Sequence, residues 1–196
     1  MNKPCVNGIT KITDNKFLNM YELVAQRRDG TEFPYQVASR ANGINDLTAC
    51  SGEVKSHAVS IFGMYEDKIV LVKQYRYPIG DYIYELPAGL VDDDEDVLTA
   101  AKREMFEETG LNFVVSKSAW NARPWLSSPG MTDEACTVIF GECYGTPTNT
   151  NQEDSEDIQV VLADKNEAIR ILNEETVDVR TAFAIIMAFD LFTYIK

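Results

Sequence analysis

Residues 89–111, GLVDDDEDVLTAAKREMFEETGL, constrain this chain more than any other stretch. The second half reads as one helix. On it Glu104 and Glu108 lie one turn apart, with Glu107 on the adjacent line. Arg103 stands four residues before Glu107, a spacing at which opposite charges pair. Glu104 and Glu108 face each other as like charges near the negative end of the helix dipole, which costs roughly a few tenths of a kcal/mol in an isolated helix. A solvated face more often alternates signs. Carboxylates stacked in this way suit a hard divalent cation, which takes oxygen ligands. By itself the cluster also reads as an acidic surface stripe, so the flanking pattern decides. Asp92, Asp93, Asp94 and Glu95 are expected to open the helix by capping its N–H groups, and Gly110 to close it in a left-handed conformation. Val97, Leu98, Ala101 and Met105 fall at the spacing of a buried stripe.

The full pattern is specific. Gly89, Glu95, Arg103, Glu104, Met105, Glu107, Glu108, Gly110 and Leu111 fill every defined position of GX5EX7REUXEEXGU, where U is bulky and aliphatic. At average residue frequencies, a chance match in such a chain has odds on the order of 10⁻⁷. The segment resembles the Nudix box. That resemblance implies Glu104 and Glu108 as main Mg²⁺ ligands, with Mn²⁺ as a substitute, Glu107 assisting and the Ala88 carbonyl completing the set. It implies that Arg103 orients Glu107, and that Glu95 is structural or a secondary ligand.

Bulk properties narrow the alternatives. The 196 residues carry a formal net charge of −13. An acidic surface repels phosphate backbones and anionic lipids, which argues against nucleic-acid and membrane-surface partners. It also implies cations if the substrate is itself a phosphate. Cys5, Cys50, Cys136 and Cys143 form no CxxC pair, and His57 is the only histidine. A zinc site is therefore not expected, and the thiols read as reduced, partly buried residues of a cytoplasmic protein. The N-terminus lacks a basic-then-apolar leader pattern. The apolar run 182–195 is too short to span a bilayer and reads as a buried C-terminal helix. Neither a P-loop nor a Ser/His/Asp grouping is present.

Strand-like runs at 21–25 and 33–38 flank Arg28-Asp29-Gly30, a hairpin signal. They predict a small N-terminal β subdomain over residues 1–50, with 41–51 as loop or linker, followed by a catalytic domain over 51–196. Further strands are expected at 58–64, 68–76, 82–86, 112–115, 135–141 and 158–162. Asp164 and Asp178 are expected to cap two late helices. Irregular alternation of strands and helices predicts an α/β fold: a mixed sheet in an α/β/α sandwich.

Outside the box the chain resembles the ADP-ribose and ADP-sugar pyrophosphatase branch of the family. The run 74–89, QYRYPIGDYIYELPAG, carries this resemblance, as does Ser128-Pro129-Gly130. The resemblance implies that Arg76 and Arg40 grip substrate, that Glu85 contacts it or a nearby backbone, and that the Gly130 loop adjoins it. Phe17 and Tyr35 stand where relatives sandwich the adenine ring, a task suited to flat apolar faces. Glu156, then Glu153, are the acids of the polar loop 146–157 expected to position or deprotonate water. A homodimer is implied in the same way. The resulting expectation is Mg²⁺-dependent hydrolysis of ADP-ribose to AMP and ribose 5-phosphate. The alternatives are GDP-mannose, another nucleotide sugar or a dinucleotide as substrate, and a catalytically silent domain that binds a nucleotide.

Overall fold

The computed structural model describes residues 3–92, 94–118, 120–121, 123–148 and 157–194. In chain order its strands are β1 (Cys5–Lys11), β2 (Asn19–Gln26), β3 (Glu32–Ser39), β4 (Ala58–Tyr65), β5 (Lys68–Arg76), β6 (Asp81–Glu85), β7 (Ala88–Leu90), β8 (Asn112–Val115), β9 (Pro124–Leu126), β10 (Ala135–Tyr144) and β11 (Ile158–Ala163). Its α-helices are α1 (Thr48–Ser51), α2 (Val97–Thr109), α3 (Lys165–Glu174) and α4 (Val179–Ala188). The chain divides into two compact units, one of Met1–His57 with Pro124–Cys136 and one of Ala58–Arg123 with Thr137–Lys196.

In the first unit β1, β2 and β3 form an antiparallel sheet. Successive side chains alternate faces, so Tyr21, Leu23 and Val37 share one side. They are buried there with Ala41 and Leu47. The Tyr21 hydroxyl donates to the Ala41 carbonyl at 2.8 Å. The stretch 41–51 is therefore not a linker: Leu47 is 1% exposed and closes this small core. Polar and small residues surround a single deep Leu, which is why composition read the stretch as loop. Segment 124–136 joins the unit by hydrogen bonds. The Ala38 N–H donates to the Met131 carbonyl at 2.9 Å, and the Thr48 N–H to Asp133 Oδ2 at 3.0 Å.

The second unit is built on the strand order β11-β5-β4-β10-β8, with β6 added to β5 and β7 to β4. One face packs on α2: Val59, Ile61 and Val70 meet Ala100, Ala101 and Met105. The other packs on α3 and α4: Ile69, Leu71 and Tyr84 meet Ala168, Ile171, Ala184 and Ile185. This is the α/β/α sandwich with a mixed sheet that the sequence predicted. Asp164 and Asp178 cap α3 and α4 as their positions predicted, each accepting two backbone N–H bonds.

Two helices differ from expectation. The metal-helix candidate α2 starts later, with Asp96 as its N-cap and Leu98 and Thr99 N–H groups donating to it. The buried stripe also differs: Ala100 joins Ala101 and Met105 in the core, with Val97 packed against them, while Leu98 is exposed. Helix α4 ends at Ala188, and its Phe183 and Met187 lie exposed, so the late apolar run is not one buried helix. No helix among the described residues is long and apolar enough to cross a membrane. None of the cysteines is in a disulfide. Cys5 and Cys50 are exposed, whereas burial pushes the Cys143 thiol up to about 12.

Candidate active site

Helix α2 presents the acidic cluster because both ends are fixed locally. Asp96 holds the first turn, and Gly110, at φ 71°, ends the helix as the sequence predicted. Between them Met105, Ala100 and Ala101 anchor the buried side. Arg103, Glu104 and Glu107 are left on the flank.

Arg103 is the hub of this flank. Its Nε donates to Glu95 Oε1 at 3.1 Å and its Nη2 to Glu95 Oε2 at 2.8 Å, a bidentate fork. Its Nη1 donates both to Glu104 Oε1 at 2.8 Å and to Glu107 Oε2 at 2.9 Å. Nη2 also donates to the Leu90 carbonyl at 3.0 Å, tying the helix to β7. Three carboxylates on one guanidinium raise its pKa, with the Glu95 hydrogen bonds the largest cause. In return Arg103 holds the Glu95 carboxyl below the usual carboxylate range. Helical spacing anticipated the pairing with Glu107, whereas Glu104 and Glu95 join it through the tertiary fold.

Glu108 and Ala88 meet from the other side. The Ala88 N–H donates to Glu108 Oε2 at 3.1 Å, and Glu108 is 2% exposed. Ala88 itself pairs with Ser60 where β7 lies on β4. Between the two groups sits Gly89. A Cβ built on it would overlap the Glu104 carboxylate, so only a glycine lets that carboxylate lie against the strand.

These donors fit a hard divalent cation by their chemistry. Every one is an oxygen: the carboxylates of Glu104, Glu107 and Glu108 and the backbone at Ala88. They outnumber the single guanidinium beside them, which leaves the cluster acidic. Glu104 and Glu107 are gathered on Arg103, and among the described residues no three acids form a ready metal cluster.

Arg76 and Glu85 stand on the same sheet face as α2. Val70 of β5 packs toward α2, Val72 and Arg76 share its parity, and Glu85 of β6 lies opposite Val72. Arg76 Nε donates to Glu85 Oε2 at 2.6 Å. The hairpin bearing them is held from behind, where the Tyr82 hydroxyl donates to Asp157 Oδ2 and the Tyr75 N–H donates to the Asp157 carbonyl at 3.2 Å. Sequence reading did not single out Tyr82, and it took Asp157 only as one of the acids of the polar loop. The signal available was a tyrosine across the ladder from another, which marks a shared sheet face.

The remaining candidates lie in the first unit. Arg40 Nε donates to Glu134 Oε1 at 3.1 Å, and the Tyr35 hydroxyl donates to the Gly130 carbonyl at 2.7 Å. Tyr35 also lines a groove of about 520 Å³ with Leu23, Ala25, Phe33 and Arg27. Phe17 is 68% exposed under the Lys16 ammonium and is not part of that lining. His57 is structural: Ala135 donates to its Nδ1 at 3.3 Å, and its own N–H donates to the Ala135 carbonyl at 2.9 Å. Glu153 and Glu156 lie outside the described residues.

A family model described as the NUDIX domain matches residues 54–183. The chain is 40% identical to a putative nudix hydrolase 2 from Caenorhabditis elegans over 50% of its length and 45% of that protein's. It is 31% identical to an ADP-ribose pyrophosphatase from Saccharomyces cerevisiae over 77% of its length and 65% of that protein's. The chain thus spans about half to two thirds of these two relatives. A solved structure described as an ADP compounds hydrolase superposes with a TM-score of 0.72 at 16% identity, covering 99% of this chain and 96% of the other. At that identity the likeness concerns the fold.

Proposed function

The chain belongs to the Nudix family, and from that premise we propose that it is a pyrophosphatase that hydrolyses ADP-ribose to AMP and ribose 5-phosphate with Mg²⁺ as cofactor. The observation that carries this reading is the convergence of Glu104 and Glu107 on one nitrogen of Arg103, beside the Glu108–Ala88 bond. The substrate class is supported by the similarity to an ADP-ribose pyrophosphatase.

In this reading Glu104, Glu107, Glu108 and the Ala88 carbonyl hold the cation, and Mn²⁺ is accepted in its place. When bound, the metal neutralises diphosphate oxygens and lowers the pKa of a coordinated water. Arg103 keeps two of the carboxylates aimed at one point, and Gly89 leaves Glu104 room beside the strand. Water attacks one phosphorus of the anhydride, and the P–O bond to the other phosphate breaks. Glu85 fixes the rotamer of Arg76, so that its guanidinium meets a phosphate oxygen already oriented. Glu134 does the same for Arg40. Tyr35, held at the Gly130 loop, and Phe17 provide flat faces for the adenine. Glu156, or Glu153 in its place, positions the water. We place the protein in the cytoplasm and expect it to act as a homodimer.

The test is AMP release from ADP-ribose, followed with and without Mg²⁺ and with excess chelator. Glu104→Gln and Glu108→Gln should each cost more than the roughly 10–100-fold that loss of a supporting residue costs at a metal site. Full activity in either variant, or in chelator, refutes the metal assignment. A panel including GDP-mannose, other nucleotide sugars and a dinucleotide tests the substrate, and the reading fails if ADP-ribose ranks among the poorest. Tight binding of ADP-ribose with no cleavage in Mg²⁺ or Mn²⁺ would instead reveal a silent nucleotide-binding domain.

A further inference from the structure

The stretch Leu86-Pro87-Ala88 carries the chain from β6, paired with β5, across to β7, paired with β4. Proline has no N–H, so this stretch has two backbone donors. The Leu86 N–H donates to Thr181 Oγ1 of α4 at 2.8 Å, and the Ala88 N–H to Glu108 Oε2 of α2 at 3.1 Å. The Pro87 carbonyl accepts from the Ile61 N–H of β4 at 2.8 Å. Helices α2 and α4 pack on opposite faces of the sheet. One side chain from each outer layer therefore grips the same stretch, with β4 holding its middle.

We infer that Thr181 is a positioning residue of the metal site: by fixing the Leu86 N–H it sets where the Ala88 carbonyl and the Glu85 carboxylate stand. The inference rests on the metal assignment proposed above and adds to it a residue from the opposite face of the sheet. Thr181 donates to no cation ligand and acts only through the backbone of 86–88.

The direction of this hold is forced. Thr181 is 0% exposed and Leu86 is buried beside it. A hydroxyl gives one proton and accepts at its lone pairs. The Thr181 hydroxyl gives its proton to Asp178 Oδ2, which leaves its oxygen free to accept from Leu86. Asp178 is itself fixed as the N-cap of α4, accepting the Arg180 and Thr181 N–H groups at 2.8 and 3.4 Å. A carboxylate only accepts, so the relay runs from Leu86 through Thr181 to Asp178 and does not reverse. The cap of α4 thus extends beyond its own helix to the strand that lines the site.

Short covalent reach makes the position of Leu86 matter. Glu85 precedes it and holds Arg76, while Ala88 follows two residues later against Glu108. Peptide planes are rigid, and the Pro87 ring locks its own φ, so few torsions separate Leu86 from either group. A displaced Leu86 amide passes its shift to both. Without the hydroxyl, this buried N–H has no partner at its present position, and a buried donor left unpaired drives the backbone toward another acceptor. Movement of the stretch then pulls Ala88 away from the Glu108 side of the site.

The experiment is Mn²⁺ binding to the full chain by electron paramagnetic resonance, without substrate. Thr181→Val keeps the branched shape and removes the hydroxyl. It should raise the Mn²⁺ dissociation constant by about tenfold, the lower end of the roughly 10–100-fold cost of losing support behind a metal ligand. Thr181→Ser restores the hydroxyl and should restore the affinity. Asp178→Asn keeps an N-cap but turns an amide donor toward Thr181, so it should act in the same direction as Thr181→Val, and it carries the test if that variant does not fold. Asp164→Ala removes the cap of α3 in the same layer without touching 86–88, and should leave Mn²⁺ affinity at the wild-type value. Unchanged affinity in Thr181→Val, no rescue by serine, or an equal loss in Asp164→Ala each overturns the inference. Wild type that binds no Mn²⁺ refutes the metal assignment and this inference with it, whereas wild-type binding that ignores Thr181 refutes this inference alone.

Discussion

The Glu104 carboxylate lies against the backbone of Gly89, in the space that any side chain there would fill. Gly89 has no left-handed φ to account for it, so room is what this position requires. Gly89→Ala should therefore displace Glu104 and leave the strand conformation intact. The expected result is a loss of Mg²⁺-dependent AMP release of about 10–100-fold, the usual effect of disturbing a metal ligand's support. The melting temperature should move little. Wild-type turnover in this variant would show that Glu104 works from another position.

Arg103 gathers three carboxylates by fork geometry, which an ammonium does not reproduce. Arg103→Lys keeps the charge and loses the simultaneous bonds to Glu95, Glu104 and Glu107. Activity should fall by about tenfold or more, with a weaker apparent Mg²⁺ affinity measured by titrating the metal. A variant with unchanged metal dependence would mean that the fork serves folding alone.

The same network sets an acid limit on stability. Arg103 lowers the Glu95 pKa in the folded state, chiefly through its hydrogen bonds. A lowered carboxylate stabilises the fold above its ordinary value, near 4.5, and that contribution is lost as pH falls through the lowered folded value. In metal-free protein, Glu95→Gln should cost stability at pH 7 and progressively less below pH about 4.5. Urea melts at both pH values read the difference, and an equal cost at both would contradict the linkage.

How much of this was legible beforehand varies by element. The C-terminal end of α2 was readable because a single glycine marks it. The start was not, because five consecutive acids all resemble caps and only the tertiary fold selects Asp96. Strand β1 went unnoticed because Gly8 and a register shift between Val6 and Gly8 break its alternation. The contribution of 124–136 to the first unit depends on hydrogen bonds across about ninety residues of sequence, such as Tyr35 to Gly130. Local pattern carries no trace of such a bond. At the site, helix spacing gave the Arg103–Glu107 pair, while the Arg76–Glu85 pair needed the β5–β6 register. The exposed side of α4 was misread because an apolar residue at every turn looks the same in sequence whether it is buried or exposed.

Asp96 shows what one cap is worth. Its Oδ1 accepts from the Leu98 and Thr99 N–H groups at 2.9 and 3.1 Å, and its Oδ2 accepts from the Thr99 hydroxyl at 2.7 Å. Asp96→Ala should cost about 1 kcal/mol in urea denaturation, within the roughly 0.5–2 kcal/mol range of N-caps, and Asp96→Ser much less. An equal loss in both variants would assign the effect to something other than capping.

Arg76 and Glu85 provide the sharpest separation of binding from chemistry. Their ion pair sits on the α2 side of the sheet, with Glu85 mostly buried and the Arg76 side chain 41% exposed. Glu85 therefore acts as an anchor and Arg76 as the group that reaches outward. Arg76→Ala removes a contact made to the phosphate both before and during reaction, so KM should rise about tenfold or more with kcat less affected. Glu85→Gln keeps the shape and weakens the anchor, and should shift the same parameter by a smaller factor. If Arg76→Ala instead lowers kcat and kcat/KM equally, its guanidinium acts only in the transition state. Its place would then be with the carboxylates of α2 and not with substrate capture.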